Sequence, residues 1–404
     1  MVYNNEEFIS WVSKHLNHDP AELSMKFHGK MPWIEEAVTQ VKCRKKTRKK
    51  LEKELECPSF YFPTALSAEQ CTGDKLAEFH ASLIDEGDTV LDLTCGLGID
   101  SLHFAAKAKS VTSIDRNQLL CEALSHNASA LGYHNISVVN ADCCEFLNES
   151  STLYDVIFID PARRGSEGQR LYGLHDCAPD VIDLLPSIRK HCHKLIIKAS
   201  PMLDLTQITR ELPEAHDIYV TGNDTECKEV VIVIDFNVNA RSETMIHALS
   251  ASNDFAFRRT EENSAEAVFS DPPATGYLYE PNPEIMKAAP FKLLCRIFGL
   301  NKISPNTHLY WSENRVDGFP GNTLRIVKNI DYASSNIKRF AKEFPEIRVT
   351  ARNFGITADQ LRKKLKVKDG GELRLFATTT ASDKKIMIVT EERKLKSEVR
   401  MFSC

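Results

Sequence analysis

Acidic residues close a series of short apolar segments in the first half of the chain. These acids are Asp92, Asp115, Asp142 and Asp160, and each lies at or just after the end of an apolar run or beside a turn. A doubly wound α/β sheet has this rhythm, and its ligands bind at the carboxyl ends of the strands. The pattern therefore predicts an α/β domain with a ligand site lined by these four acids.

Two glycines follow the first of these strands. Thr89–Leu93 is predicted as a strand, and Gly96 and Gly98 come directly after it, where the chain must turn tightly and let a ligand approach its backbone. Asp115 ends the next predicted strand and suits ribose hydroxyls, and Asp142 after the third strand suits an adenine amino group. The set predicts a site for an adenosine-containing cofactor.

The residue after the glycine loop distinguishes between two such cofactors. A dinucleotide fold needs a helix N-terminus that is open to pyrophosphate. Here Asp100 lies two residues beyond Gly98, and its carboxylate would repel a pyrophosphate. A sulfonium cofactor carries no phosphate, so S-adenosylmethionine is favoured. In the simpler alternative, the acids of this region only cap helices and form turns.

The segment Asp160-Pro161-Ala162-Arg163-Arg164 follows the fourth predicted strand. Asp160 is predicted to contact the methyl acceptor and to manage its proton, and Pro161 fixes the backbone just after it. Arg163 and Arg164 have the geometry to bind a phosphate or carboxylate of the substrate. In the alternative, these two arginines form salt bridges across the loop.

These features give the sequence a resemblance to a known family. Residues from about 64 to 236 resemble a class I S-adenosylmethionine-dependent methyltransferase, in which Asp-Leu-Thr-Cys-Gly-Leu-Gly is similar to a form found in nucleic-acid methyltransferases. The whole chain is similar to bacterial methyltransferases that end in a THUMP-like domain. The segments that carry this second resemblance are Glu69–Thr72, Asp160–Arg164, Tyr279–Pro283, Leu361–Leu365 and Lys368–Gly371.

The resemblance implies a set of site residues. Gln70 and Thr72 belong to the segment that folds over the methionine end of the cofactor in class I methyltransferases. Thr94 stands where the family commonly has a glycine. The implied cofactor-binding set is Gln70, Thr72, Asp92, Thr94, Gly96, Gly98, Asp115 and Asp142.

The Asp-Pro-Ala-Arg-Arg segment also resembles that of 5-methyluridine RNA methyltransferases, which use a nucleophilic cysteine after strand five. The matching residues here, Lys198 to Pro201, include no cysteine. The sequence therefore predicts direct methyl transfer without a covalent intermediate.

Periodicity and composition predict five regions, and the resemblance supplies the names of the second and the last. They are an N-terminal helical segment (1–63), a methyltransferase domain with a Rossmann-like sheet (64–239), a linker or loose hairpin (240–275), a small α+β region for which a ferredoxin-like fold is one option (276–330) and an α+β THUMP-like domain (331–404). Within the fourth region, Pro283 to Phe298 is predicted to form one helix.

The chain has a formal net charge of −5, so only local basic patches can contact nucleic acid. Seven of the nine residues from Lys42 to Lys50 are basic, and a second cluster lies between Arg362 and Lys368. A solvated helix face is the alternative for either cluster. The residues assigned to phosphate contact are Lys45, Lys46, Arg48, Lys363 and Lys364.

Other classes of protein are disfavoured. No apolar run approaches a membrane span, no signal pattern begins the chain, and the 12 cysteines have no disulfide-like spacing, so a cytoplasmic location is expected. His191-Cys192-His193 lacks further ligands, and no metal site is predicted.

Three functions remain. The first is methylation of structured RNA with S-adenosylmethionine. The second is methylation of a small anionic metabolite or a protein side chain by the same fold. The third is a non-catalytic, cofactor-binding scaffold.

Overall fold

The computed structural model describes residues 2–163, 173–238 and 243–392. The chain divides into two compact units, the first comprising residues 1–216 and 231–242 and the second residues 217–230 and 243–404. Arg164, one of the predicted substrate-binding residues, lies outside the described residues. Among the described helices, none is both long and apolar enough to cross a bilayer.

The first unit contains ten helices and seven complete strands among its described residues. The helices are α1 (Glu6–His15), α2 (Pro20–Phe27), α3 (Ile34–Thr47), α4 (Ala65–Gln70), α5 (Asp74–Ser82), α6 (Ile99–Ala105), α7 (Gln118–Ala130), α8 (Cys143–Glu149), α9 (Val181–His191) and α10 (Leu205–Glu211). The strands are β1 (Thr89–Asp92), β2 (Ser110–Asp115), β3 (Ile136–Asn140), β4 (Tyr154–Ile159), β5 (Ala162–Arg163), β6 (Cys177–Ala178) and β7 (Cys192–Ala199).

Five strands of this unit form a parallel sheet in the order β7-β4-β1-β2-β3. The chain winds outward from β1 in one direction through β2 and β3 and in the other through β4 and β7. β1 and β4 therefore flank the point where strand order reverses, and their carboxyl ends open into a shared crevice. The predicted Rossmann-like sheet is confirmed, and the four acids lie along its carboxyl edge.

The N-terminal helices begin where the sequence provides capping residues. The Asp19 carboxylate accepts hydrogen bonds from the backbone of Ala21 and Glu22, and Pro20 occupies the first position of α2. Two of the three aromatic residues at positions 60–62, Phe60 and Phe62, are buried in one cluster with Leu102 and Leu124. These rings stabilise the domain by packing.

The second unit begins with β8 (Asp217–Gly222). The division between the two units falls within β9 (Cys227–Asp235), after Val230. The other strands of the second unit are β10 (Met245–Leu249), β11 (Asp254–Arg258), β12 (Gly276–Pro281), β13 (Asn301–Ser304), β14 (Thr307–Ser312), β15 (Gly321–Asp331), β16 (Arg348–Arg352), β17 (Leu373–Thr379) and β18 (Lys385–Glu391). Its helices are α11 (Arg259–Ser264), α12 (Pro283–Ala288), α13 (Phe291–Phe298), α14 (Ser334–Glu343) and α15 (Ala358–Leu365).

The described part of residues 240–275, predicted as a linker or loose hairpin, contains an antiparallel hairpin of β10 and β11, and β10 also pairs with β8. The prediction of one helix from Pro283 to Phe298 is wrong. Ala289 adopts a left-handed conformation with φ +62°, and Pro290 removes a backbone donor, so α12 ends and α13 starts afresh.

One seven-stranded sheet spans the two C-terminal regions predicted from the sequence. Its order is β13-β14-β12-β15-β18-β17-β16. The long strand β15 pairs with β12 on one side and with β18 on the other, both antiparallel. The expected α+β architecture is confirmed.

Candidate active site

Asp92 ends β1 inside the protein, with an exposed fraction of 1%. Its carboxylate accepts a hydrogen bond from the Ser101 hydroxyl at 2.6 Å and one from the Thr94 backbone N–H at 3.2 Å. Burial raises the pKa of Asp92 to about 7, and the negative charges of Asp100 and Asp160 add to the increase, while the Ser101 hydrogen bond opposes it. Asp92 thus fixes the start of the glycine loop from within.

The glycine loop needs both of its glycines. Gly96 and Gly98 have φ values of +56° and +84°, which residues other than glycine rarely adopt. A Cβ atom on Gly98 would lie 2.2 Å from Cδ1 of Leu124, whereas a Cβ on Gly96 would meet nothing within 4 Å. Gly98 therefore serves close packing with α7, and Gly96 leaves open space at the crevice.

Asp115 links the second strand to this loop. Its Oδ2 accepts a hydrogen bond from the Gly96 N–H at 3.0 Å, and its Oδ1 accepts one from the Asn117 N–H at 2.8 Å. Each carboxylate oxygen has two lone pairs, so both retain accepting capacity. The structure therefore brings Asp115 and Gly96 together, as a shared binding site requires.

Asp142 has a structural task in addition to its predicted one. It is the N-cap of α8, and its Oδ1 accepts hydrogen bonds from the N–H groups of Cys144 at 2.8 Å and Glu145 at 3.4 Å. Burial opposes ionisation, but these backbone donors lower the pKa of Asp142. Its adenine contact remains a prediction.

Asp160 lies just beyond β4, opposite the end of β1. Its backbone N–H donates to the Thr94 hydroxyl at 2.8 Å, so Thr94 binds the two strand ends together. Its Oδ2 accepts a hydrogen bond from Nζ of Lys198, near the end of β7, at 2.5 Å. Pro161 is buried beside it. Asp160 is thus held by both neighbouring strands.

Lys198 begins a buried polar network that the sequence analysis did not identify. Its Nζ also donates to the Thr72 hydroxyl at 3.1 Å, and that hydroxyl donates to Oδ2 of Asp100 at 2.5 Å. The Nδ1 atom of His80, which is fully buried, lies 2.7 Å from the other Asp100 oxygen. The chain Asp160–Lys198–Thr72–Asp100–His80 therefore runs from the crevice into the core.

Asp100 consequently differs from its predicted role. Its carboxylate is directed to His80 and Thr72 and not to the mouth of the glycine loop. Burial opposes ionisation, yet the charges and hydrogen bonds of His80, followed by the charge of Lys198, lower the pKa of Asp100 to about 2. The residue acts as a buried anion, so its charge is not what excludes a pyrophosphate.

Thr72 and Gln70, which are predicted to lie at the methionine end of the cofactor, occupy different environments. Thr72 is buried and belongs to the network described above. Gln70 is exposed at the last position of α4, and its cofactor contact remains a prediction. Arg163 contributes its backbone to the short ladder with Cys177, and its predicted contact with the substrate remains a prediction.

Comparisons with known proteins identify the family of this chain. Residues 87–250 match the family described as RNA cap guanine-N2 methyltransferase. Residues 277–320 match a ferredoxin-like domain, and residues 321–392 match a THUMP domain-like family. The solved structure of a putative methyltransferase from Porphyromonas gingivalis W83 is 31% identical, with a TM-score of 0.87 over 96% of this chain and 98% of that chain.

The chain belongs to the class I S-adenosylmethionine-dependent methyltransferase family with a C-terminal THUMP-like domain.

Curated relatives of this methyltransferase match a shorter stretch. An uncharacterised RNA methyltransferase of Mycoplasma mobile is 37% identical over 94 residues, which is 23% of this chain and 25% of that protein. The 23S rRNA (uracil(1939)-C(5))-methyltransferase of Aliivibrio fischeri is 38% identical over 88 residues, or 21% of this chain and 20% of that protein. The chain thus spans about a quarter or less of the length of these relatives.

The first basic cluster of the methyltransferase is only partly available to a partner. Arg44 is buried, and its guanidinium donates to the carbonyl oxygens of Cys57, Pro58 and Phe60 at 3.2, 2.7 and 2.7 Å. Burial lowers the pKa of Arg44 to about 10. Arg44 therefore stabilises the fold and is not a candidate for phosphate contact.

The predicted phosphate-binding residues around it point outward. Lys45 donates to the His18 carbonyl oxygen at 2.9 Å, Lys46 forms an ion pair with Glu69, and Arg48 is exposed just after α3. Because the first two contacts are exposed, they compete weakly with a phosphate. Arg48 is the least committed of the three.

The second basic cluster of the methyltransferase lies on α15 in the second unit. Lys363 and Lys364 are exposed, and the Lys364 ammonium lies 5.0 Å from the centre of the Tyr332 ring. Arg362 is occupied by Asp359 at 2.7 Å and Asp369 at 3.2 Å. Lys363 and Lys364 therefore remain the candidates for phosphate contact on this helix.

Proposed function

We propose that this methyltransferase transfers a methyl group from S-adenosylmethionine to a base of a structured RNA, directly and without a covalent cysteine intermediate. The Asp160–Lys198 pair at the ends of two adjacent parallel strands carries the proposal. It supplies a fixed carboxylate, with a positive partner, beside the crevice at which the strand order reverses.

The residues of the crevice fit the cofactor. Gly96 provides open space and an approachable backbone, and Asp115 retains lone pairs for ribose hydroxyls. Asp142 is the candidate for the adenine amino group, with Thr72 and Gln70 on the methionine side. These side chains are rich in anionic oxygens, which can accept hydrogen bonds from hydroxyls and attract a cationic sulfonium. S-adenosylmethionine supplies a methyl group on positively charged sulfur.

The residues around Asp160 account for the transfer. Its carboxylate accepts a hydrogen bond from an N–H of the acceptor and so orients the nitrogen lone pair for in-line attack. A nitrogen–carbon bond forms as the sulfur–carbon bond breaks, and the acceptor proton leaves through Asp160 to solvent. Lys198 keeps the carboxylate in place, and Thr94 anchors its backbone.

The cysteines near the crevice are poor nucleophiles. The residues after β7 are Ser200 and Pro201, where the 5-methyluridine enzymes carry their cysteine. Burial raises the pKa of the Cys71 thiol, although Lys50 and Lys198 oppose the shift, and burial also raises that of Cys95. A protonated thiol does not attack a pyrimidine ring, so direct transfer is favoured.

Two features support RNA as the substrate. The curated relatives carry the names of RNA methyltransferases, and the C-terminal residues match a THUMP domain-like family. Exposed lysines and arginines at 45–48 and 363–364 supply positive charge on an otherwise acidic chain. Phosphate contacts of this kind hold RNA without reading its bases.

Mass spectrometry of RNA nucleosides tests the proposal. RNA from cells with the gene should contain one methylated nucleoside that RNA from a deletion strain lacks. Wild-type protein should restore it and the Asp160→Ala variant should not. Unchanged nucleosides in the deletion strain would contradict an RNA substrate and would favour a small anionic metabolite or a protein side chain.

A further inference from the structure

A second polar cluster lies in the first unit and includes His103 of α6, the helix that also carries Asp100 and Ser101. It consists of Glu54, Asp74 and His103, whose candidate ligand atoms all lie within 4.8 Å of one another. Nε2 of His103 lies 3.2 Å from Oε1 of Glu54 and 3.9 Å from Oδ1 of Asp74. Three separate parts of the chain thus bring two carboxylates and an imidazole together.

Two oxygens of this cluster have no partner. Glu54 is 4% exposed and Asp74 is 9% exposed, and both Oε2 of Glu54 and Oδ1 of Asp74 are buried without a hydrogen bond. The other Asp74 oxygen accepts hydrogen bonds from the N–H groups of Glu52 at 2.7 Å and Lys53 at 3.1 Å, which fixes this carboxylate. Buried carboxylate oxygens are costly unless a positive group satisfies them.

His103 alone does not satisfy both carboxylates. Its Nε2 has a single hydrogen, and donation to Oε1 of Glu54 leaves Oε2 of Glu54 and Oδ1 of Asp74 unpartnered. These two buried oxygens require a metal cation, or a proton shared between the acids, to satisfy them.

We propose that Glu54, Asp74 and His103 bind one divalent transition-metal cation of the Mn²⁺ or Zn²⁺ class. Imidazole nitrogen with carboxylate oxygen is a ligand set for these metals, whereas Mg²⁺ and Ca²⁺ prefer oxygen alone. Ligand atoms about 2 Å from a metal lie roughly 3–4 Å from one another, and the His103 distances of 3.2 and 3.9 Å fall in this range.

The site would have a structural role. Glu54 lies in the 3₁₀ turn Glu54–Glu56, Asp74 begins α5, and His103 lies on α6. A metal held by all three would fasten the end of the N-terminal segment to the helix that carries Asp100 and Ser101. Sequence spacing gives no sign of it, because the ligands are 20 and 29 residues apart.

Electron paramagnetic resonance of Mn²⁺ tests this site. The full-length protein is stripped with a chelator, and Mn²⁺ is added while the signal of the free ion is recorded. Wild-type protein should remove one equivalent of Mn²⁺ from solution, and its melting temperature should rise by a few degrees. Glu54→Gln should weaken Mn²⁺ binding by at least about tenfold, which is the lower end of the loss from outer-shell changes.

Glu56→Gln is the matched control, because Glu56 lies in the same turn with its side chain exposed. It should bind Mn²⁺ as wild type does. His103→Ala is the second ligand variant, and circular dichroism establishes that each variant is folded. No stoichiometric binding by wild type would overturn the proposal, as would binding that both ligand variants retain. If neither wild type nor Glu54→Gln binds Mn²⁺, and Glu54→Gln is at least as stable as metal-free wild type, then the two acids share a proton and the metal proposal is overturned.

Discussion

Lys198 Nζ lies 2.5 Å from Oδ2 of Asp160, and the pair joins the ends of β7 and β4. The same ammonium contacts Thr72, which in turn contacts the buried Asp100. Asp160 at the crevice is therefore connected to the buried anion Asp100 through Lys198 and Thr72. This arrangement makes Lys198 a positioning residue for Asp160 in the proposed reaction.

The Asp160–Lys198 pair gives the first prediction. Asp160→Ala should lower the rate of methyl transfer by about 10²–10⁴-fold, the usual contribution of a positioned acid or base, with cofactor affinity nearly unchanged. Lys198→Met should lower kcat less, and Lys198→Arg should partly restore it. Single-turnover assays and calorimetry with S-adenosylmethionine measure both quantities. An Asp160→Ala variant that loses cofactor binding but retains turnover at saturating cofactor would reverse the assigned role.

Asp115 should contribute to cofactor affinity. Asp115→Ala removes a charged acceptor for ribose hydroxyls and should weaken binding of S-adenosylmethionine by about 1–3 kcal/mol. Asp115→Asn keeps an oxygen for the N–H of Asn117 and separates this effect from loop disorder. Glu86→Gln, at an exposed position before β1, is the control. Equal calorimetric affinities for Asp115→Ala and wild type would remove Asp115 from the site.

Asp92 should make stability depend on pH. Its pKa is about 7 in the folded protein and its ordinary value is 3.8, so between these pH values the folded state binds more protons. Stability from this group is complete below about pH 4 and falls as pH rises to 7. Asp92→Asn should remove this decline, a relative gain of up to about 4 kcal/mol at 1.36 kcal/mol per pKa unit.

Urea unfolding of the cofactor-free protein at pH 4.5, 6 and 7.5 measures the Asp92 effect. Asp100 acts outside this window, because its lowered pKa of about 2 supplies stability that is present above 3.8 and lost only toward pH 2. A difference between Asp92→Asn and wild type that stays constant across the three pH values would show that Asp92 does not titrate there.

Arg44 should matter for stability more than its neighbours do. Arg44→Met leaves three carbonyl oxygens without its guanidinium, and we expect a loss of about 3 kcal/mol or more in the free energy of unfolding. Arg48→Met, four residues along and exposed, should change stability by no more than about 0.5 kcal/mol. Denaturant melts compare the two, and equal losses would contradict the buried role of Arg44.

Arg48 should matter for RNA instead. If it contacts a phosphate, Arg48→Gln should weaken RNA binding for every sequence and flatten the plot of log affinity against log salt by about 0.7–0.9 units. Lys109→Gln, at an exposed position that belongs to neither basic cluster in the sequence, should leave the slope unchanged. Filter binding at several salt concentrations measures the slopes. Wild-type protein without salt-dependent RNA affinity would remove the basis for an RNA substrate.

Local sequence patterns were sufficient for the sheet and its acidic edge. The predicted strand Thr89–Leu93 differs by one residue from β1, and Asp115 ends β2 as predicted. Strand order and handedness then bring these acids to one edge. The helix break at Ala289 was missed, although the sequence carries a signal for it, since a residue before proline is disfavoured in a helix.

Long-range polar contacts were not accessible in the same way. His80 and Asp100 lie 20 residues apart and Thr72 and Lys198 lie 126 apart, without a periodicity that relates them. The charge count of the first basic cluster likewise gave no indication that Arg44 faces inward. Which side of a helix is buried depends on its tertiary neighbours, and here those are three carbonyl oxygens of a later loop.

Strand β15 has a consequence for anyone who wishes to cut or recombine this gene. The ferredoxin-like match ends at residue 320 and the THUMP-like match begins at 321, yet β15, which begins at Gly321, is paired with β12 of the first match over its first half. A fragment that starts at 321 would expose a row of unpaired backbone groups, a template for aggregation. A cut at residue 321 therefore divides a paired sheet, and residues 276–392 should stay together on one piece of chain.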